Sequence, residues 1–349
     1  MRELTEQLLG WFTTAATRHL SLRRVAARLC RLHYCLVFQG ELDSVRSVVP
    51  VREGHIQFRN FKIWYRIVGE QESPDRLPLL CLHGGPGGTH DYLEPLEEAA
   101  REGRRVVFYD QLGSGNSDHP NDPGLWTVPL FVEELGVVRR ELGLDRVHLF
   151  GQSWGGMLGM EYALTKPRGL ASLIVADSPA SMPQWVEEAN RLRAALPAEV
   201  QQTLLRHESA GTTSDAEYQE AVMVFYRRHL CRLDVWPDCV NRSFAKMNED
   251  PQVYHTMNGP SEFHCIGTIK NWSIVDRLGE IREQVLLLSG RYDEATPAIV
   301  ETIQRGIPGS EWVIFESSSH MPHVEEPQRF IKVLNDFLKR AEARLSQLA

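Results

Sequence analysis

The sequence predicts an α/β fold in which a mostly parallel, eight-stranded sheet is flanked by helices and carries a helical lid insertion. Short apolar runs alternate with stretches of helical periodicity, which is typical of strands buried on both faces of a parallel sheet. The alternation is interrupted once, between about residues 180 and 275, where the periodicity is helical and no convincing strand occurs.

The predicted elements follow in chain order. Residues 55–58 and 61–67 flank Arg59-Asn60 and are expected to form an antiparallel hairpin. Six further apolar runs predict the remaining strands: 78–82, 105–109, 147–150, 173–176, 285–288 and 312–315. Helices are expected around the sheet at 128–142 and 328–343, and within the insertion at 184–196 and 216–230.

These patterns divide the chain into a helical extension (1–50), a first part of the core (51–180), a helical cap (181–275) and a second part of the core (276–349). The extension holds seven arginines, no lysine and four acids, with apolar residues at helical spacing. A basic amphipathic helix of this kind packs on the main domain or a second subunit, attaches to a membrane surface, or serves in targeting. These alternatives remain open.

Composition narrows the classes of function and location. The net charge of −8 argues against a nucleic-acid partner. No apolar run approaches the roughly 20 residues that span a bilayer. The six cysteines, which include Cys30 and Cys35, show neither a C-x-x-C motif nor zinc spacing. Reduced thiols and a cytoplasmic protein without a metal site are therefore expected.

The segment Gly151-Gln152-Ser153-Trp154-Gly155-Gly156 lies between a predicted strand and a predicted helix. A G-x-S-x-G motif in this position is typical of a nucleophile elbow, in which flanking glycines permit a sharp turn that projects the serine from the sheet edge. The positive end of the following helix favours negative charge near this serine. Ser153 is therefore the candidate nucleophile.

A serine nucleophile needs a base and an acid that orients the base, in the chain order Ser, Asp or Glu, His. Asp293 follows the strand at 285–288, and His320 follows the strand at 312–315. The neighbouring residues Glu294 and His323 are alternatives for the acid and the base.

An acyl-transfer reaction also needs two donors for the developing oxyanion. The backbone N–H of Trp154 is expected to be one donor. The glycine-rich loop at 83–88 is expected to supply the other, with the Gly85 N–H as the favoured group. The alternatives for this loop are a simple turn or a phosphate-binding loop, and the latter is disfavoured because no Gly-Lys-Ser/Thr follows.

The chain resembles the proline iminopeptidase family of α/β-hydrolases, including the archaeal tricorn-interacting aminopeptidase. The matching segments are HGGPGG (83–88), YDQLGSGNSD (109–118), GQSWGGMLGMEYAL (151–164), NGPSEF (258–263), GTIKNW (267–272), GRYDEATP (290–297) and SSHMPHVEEP (318–327). The resemblance implies an α/β-hydrolase fold, release of an N-terminal residue, often proline, and the roles of Ser153, Asp293 and His320 given above. It also implies that Glu262 binds the substrate's α-amino group. Asp234 is the nearest candidate for a second anchor, although a glutamate is expected there.

The sequence therefore predicts a cytoplasmic serine aminopeptidase that acts on small peptides or amino-acid amides without a metal or organic cofactor. The alternatives are an esterase, lactonase or biosynthetic thioesterase on the same scaffold, and a non-catalytic binding module. Dehalogenases and epoxide hydrolases are disfavoured because they need aspartate at position 153.

Overall fold

The computed structural model describes residues 49–70 and 75–348. The N-terminal extension predicted at 1–50 therefore lies almost entirely outside the described residues, as do Cys30 and Cys35. Among the helices described, none combines the length and the apolar character needed to cross a bilayer.

One eight-stranded sheet organises the described residues. Its strands are β1 (Val51–Phe58), β2 (Phe61–Val68), β3 (Leu79–Leu82), β4 (Val106–Tyr109), β5 (Val147–Gln152), β6 (Leu170–Ala176), β7 (Gln284–Gly290) and β8 (Glu311–Phe315). The spatial order is β1-β2-β4-β3-β5-β6-β7-β8, in which β2 is antiparallel to both neighbours and all other pairs are parallel. The predicted mostly parallel sheet is confirmed, and so is the hairpin, which turns at Arg59 with a φ of 52°.

The central strands are buried on both faces because helices cover both sides of the sheet. Every residue of β3, β4 and β5 is buried. The one ionisable residue of β5, His148, is accommodated by a 2.7 Å hydrogen bond between its Nδ1 and Ser172 Oγ on β6. Double-sided burial explains why these strands read as unbroken apolar runs.

Helices fill the connections between the strands. They are α1 (Val128–Glu141), α2 (Trp154–Leu164), α3 (Met182–Arg193), α4 (Ala198–Ala210), α5 (Ala216–His229), α6 (Asp238–Glu249), α7 (Gln252–Met257), α8 (Pro297–Gly306), α9 (Pro322–Glu325) and α10 (Pro327–Leu348). Short 3₁₀ helices cover His90–Glu102, Pro123–Leu125 and Val275–Glu280. Residues that cap the N-terminus determine where several helices begin. At α1, for example, Thr127 Oγ1 accepts the Leu130 N–H at 3.4 Å.

The insertion between β6 and β7 contains helices α3 to α7, which we call the cap. An antiparallel bridge between Ser181 and Ser273 joins the two ends of the cap, near the boundaries predicted at 181 and 275. Because it follows β6, the cap lies at the carboxyl ends of the parallel strands, where ligands bind in folds of this kind.

Ion pairs fasten cap helix α6 to the segment that follows β3. Arg242 contacts Asp91, which is 1% exposed, and binds Glu94 at 2.6 Å. Lys246 Nζ lies 2.9 Å from Asp91 Oδ2. Burial disfavours the ionised form of Asp91, but hydrogen bonds from Thr89 and Lys246 outweigh it, so the pKa of Asp91 is lowered. The cap is thus tied to the core through a charged carboxylate.

A second buried ion pair holds the C-terminal helix α10 at the opposite end of the sheet. Glu342 accepts hydrogen bonds from Arg104 Nη1 at 2.7 Å, from the Leu77 N–H at 2.9 Å and from Arg76 Nη1 at 2.9 Å. Burial opposes ionisation of Glu342, yet its hydrogen bonds with His148 and Arg104 lower its pKa to about 2. Because Arg104 is fully buried, Glu342 supplies the negative charge that compensates its guanidinium.

Candidate active site

Ser153 lies at the turn between β5 and α2 in a strained backbone conformation. Its φ of 55° is in the left-handed region that residues with a side chain rarely adopt, and its ψ is −124°. A side chain at Gly151 would collide with the Gly155 carbonyl group, and one at Gly155 would collide with the Leu82 carbonyl group. The glycines therefore permit the close approach that leaves Ser153 at the wall of a cavity.

Asp293 and His320 lie in the loops after β7 and β8, and the structure brings them together. His320 Nδ1 lies 2.7 Å from Asp293 Oδ1, which also accepts the Ala295 N–H at 2.8 Å. Both side chains are at least 96% buried. A hydrogen bond to Asp293 leaves Nε2 of His320 as the nitrogen free to exchange a proton with a substrate.

Ser153 and His320 line the same cavity, which has a volume of about 480 Å³. Within the described part of the chain, the Ser153 hydroxyl makes no hydrogen bond shorter than 3.5 Å. Nucleophile–base hydrogen bonds are often long before substrate binds and shorten in the complex.

The two alternatives from the sequence have other surroundings. His323 Nε2 bonds the Tyr92 carbonyl group at 3.1 Å, and burial lowers the pKa of His323 to about 3. The nearest Glu294 oxygen lies 3.7 Å from Nε2 of His320, on the side of the ring away from Asp293. The geometry therefore favours Asp293 and His320 as the acid–base pair.

Gln152 connects the serine turn to two other parts of the site. Its Nε2 donates to the His320 carbonyl group at 2.9 Å, and its Oε1 accepts the Tyr92 hydroxyl at 2.6 Å. The Tyr92 hydroxyl accepts the Gly84 N–H at 2.6 Å. Gln152 thus positions the histidine loop and, through Tyr92, the glycine-rich loop. No sequence motif indicated this bridge.

Glu325 holds the histidine loop from the other side. Its carboxylate accepts the Ser319 N–H at 2.8 Å and the Ser319 hydroxyl at 3.0 Å. It also accepts the N–H of cap residue Arg232 at 2.8 Å. The backbone on both sides of His320 is therefore fixed before any substrate binds.

The two candidate oxyanion donors face the same region. Trp154 is the first residue of α2, so its N–H has no acceptor within the helix. The Gly85 N–H makes no hydrogen bond to any described residue, and the φ of Gly85 is 112°. Gly85, Ser153 and Trp154 line one small pocket. Two free N–H groups beside the serine suit a developing oxyanion.

Asp177, after β6, contacts the acid of the pair. Asp177 Oδ2 and Asp293 Oδ2 are both buried, and each lacks a donor in the described structure. Burial and the adjacent Asp293 carboxylate raise the pKa of Asp177 well above its usual range. The raised pKa favours the protonated form of Asp177, which donates a hydrogen bond to Asp293.

Glu262, from the NGPSEF segment, lies in the same cavity as Ser153 and His320. Its Oε1 accepts the Tyr254 hydroxyl at 2.6 Å, and its carbonyl group accepts the Trp185 indole N–H at 2.7 Å. Burial raises the pKa of Glu262, while the Tyr254 hydrogen bond and the nearby His320 oppose this increase. The structure therefore places a poorly hydrated carboxyl group within the reaction cavity.

The acid that lies near Glu262 in the structure is Glu294 and not the predicted Asp234. Asp234 is exposed on the loop between α5 and α6 and lines none of the cavities around Ser153. Glu294 is fully buried, and neither of its carboxyl oxygens has a hydrogen-bond partner among the described residues. Burial, followed by the negative charges of Glu262 and Asp293, raises the pKa of Glu294 well above its usual range. A buried acid without a hydrogen-bond donor is suited to a cationic ligand.

A smaller pocket of about 240 Å³ extends from Ser153 toward α3. Its walls are largely apolar and comprise Trp154, Met157, Pro179, Met182, Trp185 and Ile269, with Glu262 at one side. The pocket therefore offers a compact apolar space beside a carboxyl group.

One group of described residues reaches the spacing of a metal site: His90, Asp91 and Glu94. Its carboxylates are already paired with Arg242 and Lys246, and His90 Nδ1 bonds Asp110 at 2.8 Å. These contacts make the group an ion-pair network that fastens the cap.

Residues 78–327 match a family model described as alpha/beta hydrolase fold. A curated relative, the proline iminopeptidase of Clostridium botulinum, is 42% identical over 296 residues, which cover 84% of this chain and 99% of that protein.

Two solved structures are also similar. The structure titled "Crystal structure of VinJ" has a TM-score of 0.81 and 46% identity, with coverage of 83% of this chain and 99% of that one. The proline iminopeptidase of Mycobacterium smegmatis has a TM-score of 0.79 and 43% identity, with coverage of 84% and 100%.

Proposed function

The chain belongs to the proline iminopeptidase family of α/β-hydrolases, and we propose that it is a serine aminopeptidase. It releases an N-terminal residue, proline or another small or apolar amino acid, from peptides or amino-acid amides. The observation that carries this proposal is the position of two buried carboxyl groups: Glu262, which lines the Ser153–His320 cavity, and Glu294, whose nearest oxygen lies 3.7 Å from His320 Nε2.

The reaction starts with attack of Ser153 Oγ on the carbonyl carbon of the first residue. His320 Nε2 takes the hydroxyl proton, and Asp293 stabilises the imidazolium that forms. The N–H groups of Gly85 and Trp154 bind the oxyanion of the tetrahedral intermediate. Collapse of this intermediate breaks the C–N bond, and His320 transfers its proton to the leaving amine.

The second half of the reaction restores Ser153. A water molecule gives a proton to His320 and attacks the acyl-enzyme ester. The ester C–O bond then breaks, the amino acid leaves as a free acid, and the serine oxygen recovers its proton from His320.

Recognition of the free α-amino group explains why an exopeptidase needs the two glutamates. A substrate ammonium supplies a positive charge near Glu262 and Glu294, so its binding favours ionisation of these groups. A peptide with a blocked amine offers neither carboxyl group a cationic partner. The pocket of about 240 Å³ beside Glu262 then suits a compact apolar side chain such as the proline ring.

The experiment compares free-amine arylamides of proline and alanine with N-blocked esters. Wild type is expected to hydrolyse the arylamides, and Ser153→Ala is expected to be inactive. Glu262→Gln and Glu294→Gln are expected to lower kcat/KM for the arylamides by about 10²–10³-fold, the cost of removing one partner of a buried charge pair. Glu220→Gln, an exposed cap variant, is the matched control.

Two results would reject the proposal. One is a wild type that hydrolyses N-blocked esters but no free-amine substrate, which would favour the esterase, lactonase or thioesterase alternative. The other is an equal loss on both substrate types in the two glutamine variants, because an amine anchor acts only on substrates that carry the amine.

A further inference from the structure

The buried side chain of Gln111, in the loop after β4, links the two segments that carry the candidate oxyanion donors. Its Oε1 accepts the Trp154 indole N–H at 2.8 Å, and its Nε2 donates to the His83 carbonyl group at 3.0 Å. Trp154 directly follows Ser153, and His83 begins the glycine-rich loop that contains Gly85. A single amide group therefore connects both sides of the proposed oxyanion hole.

A further hydrogen bond fixes the tautomer of the His83 ring, which is fully buried. The Gln111 backbone N–H donates to His83 Nε2 at 3.0 Å. Because a backbone N–H can only donate, Nε2 carries no proton and the ring proton lies on Nδ1. His83 Nδ1 lies 2.9 Å from the Gly84 carbonyl oxygen and therefore donates to it. Burial lowers the pKa of His83, in agreement with a neutral ring.

The Gly84 carbonyl group and the Gly85 N–H belong to the same peptide unit. This peptide bond is trans, so its C=O and its N–H point in opposite directions. The Gly84 carbonyl oxygen also accepts the Gly88 N–H at 3.2 Å. Donors on the carbonyl side thus fix the direction of the Gly85 N–H on the other side of the peptide plane. The direction of this donor therefore depends on the His83 ring, which Gln111 holds.

The hydrogen bond from Trp154 to Gln111 acts on the residue that carries the second donor. The Trp154 ring is buried and packs edge-to-face against Phe131 of α1, with ring centroids 5.7 Å apart. The backbone beside Gln111 is held in turn, because Glu134 on α1 accepts the Leu112 N–H at 3.1 Å. The contacts of Gln111 therefore join both donor segments to a helix of the core.

We propose that Gln111 is a positioning residue for the oxyanion hole, which holds the N–H groups of Gly85 and Trp154 in a fixed relation before substrate binds. It acts through His83 and Trp154, and it lines neither cavity around Ser153. Donors that are already oriented stabilise an oxyanion more, because they need no rearrangement during the reaction. The inference rests on the proposed function for the roles of the two donors. It applies to esters as well as amides, since both react through an oxyanion.

Replacement of Gln111 by methionine tests this role. Gln111→Met keeps the approximate volume and the backbone N–H but removes both side-chain hydrogen bonds. A displacement of about 1 Å costs up to about 10²-fold in rate, so kcat for proline arylamide is expected to fall about 10–100-fold. KM is expected to change little, because Gln111 contacts neither Glu262 nor Glu294.

A pair of ligands separates positioning of the donors from general loosening of the cavity. Pyrrolidine-2-boronic acid forms a bond from boron to Ser153 Oγ. The serine proton passes to His320, boron takes the negative charge, and one of its hydroxyl groups occupies the oxyanion position. Prolinol carries the same ring and amine but forms no such bond. Gln111→Met is expected to raise the inhibition constant of the boronic acid about 10–100-fold and to leave that of prolinol unchanged.

Gln252 provides the matched control, because its Oε1 accepts the Trp126 indole N–H at 2.9 Å and it lines neither cavity around Ser153. Gln252→Met is expected to keep the wild-type kcat and both inhibition constants. Trp154→Phe removes the indole donor but keeps the backbone N–H, and it is expected to lower kcat severalfold. This variant decides the test if Gln111→Met does not fold.

An unchanged kcat in folded Gln111→Met, or in Trp154→Phe where the first variant does not fold, would overturn the inference. Equal loss of affinity for the boronic acid and for prolinol would also overturn it, because the change would then act on the whole cavity. A wild type that hydrolyses only N-blocked esters would reject the proposed function. The kcat of Gln111→Met on those esters would then still decide this inference.

Discussion

Replacement of Gln152 by methionine tests how the site is held in position. The change preserves the approximate volume of a fully buried side chain but removes both of its hydrogen bonds. The His320 carbonyl group and the Tyr92 hydroxyl each lose a partner. Each buried polar group without a partner costs about 1–3 kcal/mol, so we expect the free energy of unfolding to fall by about 2–6 kcal/mol.

The same change is expected to affect catalysis more than binding. His320 and the glycine-rich loop lose a common tether, and a displacement of about 1 Å at a reacting group costs up to about 10²-fold in rate. We expect kcat for proline arylamide to fall about 10–100-fold. KM is expected to change little, because Gln152 contacts neither Glu262 nor Glu294. Urea unfolding and steady-state kinetics measure the two effects.

Gln184 on cap helix α3 is the matched control, because its side chain bonds Thr302 Oγ1 at 2.9 Å away from Ser153. Gln184→Met is expected to leave kcat unchanged. The reasoning would be refuted if Gln152→Met lost stability as expected but retained the wild-type kcat. In that case, the bridge would support the fold without positioning the reacting groups.

Three further predictions concern buried acids. Asp177→Ala should lower kcat for the arylamide about tenfold, because Asp293 loses the hydrogen bond that Asp177 donates. Asp177→Asn keeps a donor and should retain most activity, so an inactive Asn variant would contradict this role. Glu342→Ala should lower the free energy of unfolding in urea by about 3–5 kcal/mol and leave kcat unchanged, because Arg104 is left charged and buried. A loss of less than about 1 kcal/mol would contradict the ion-pair argument. Burial raises the pKa of Glu134 to about 8 from 4.5. As pH rises from 5 to 8, Glu134 ionises in the unfolded state before it ionises in the folded state, so the free energy of unfolding of the wild type should fall. Glu134→Gln should reduce this fall, as measured by urea unfolding midpoints.

The strands of the sheet were predicted well because a strand that is buried on both faces consists of an unbroken run of apolar residues. The runs at 78–82 and 147–150 could be read as strands since a central parallel strand has no polar face. Ser153, Asp293 and His320 could be singled out for a related reason. Each follows a strand, and parallel strands present their carboxyl ends at one edge of the sheet.

Residues that act through loop geometry were harder to find. Glu294 was considered only as a substitute for Asp293, because adjacent residues in a loop can point in opposite directions and no periodicity tells which. Asp234 was favoured by its position in the cap sequence, but the loop that carries it turns that residue to solvent. Asp177 and Tyr92 carry no motif at all. Their roles depend on contacts between segments that are 116 and 60 residues apart, as in Asp177–Asp293 and Tyr92–Gln152.

The fastening of helix α6 has a consequence for altering the specificity of this protein. Arg242 and Lys246 fasten the helix from which Phe244 and Met247 line the Ser153 cavity. They hold it against the stretch that leads directly out of the glycine-rich loop. Reshaping α6 to admit a new molecule would therefore disturb the groups that stabilise the transition state. Met223 on helix α5 is half-buried, lines none of the Ser153 cavity and forms no ion pair within the described chain, so substitutions there leave more freedom for changing selectivity.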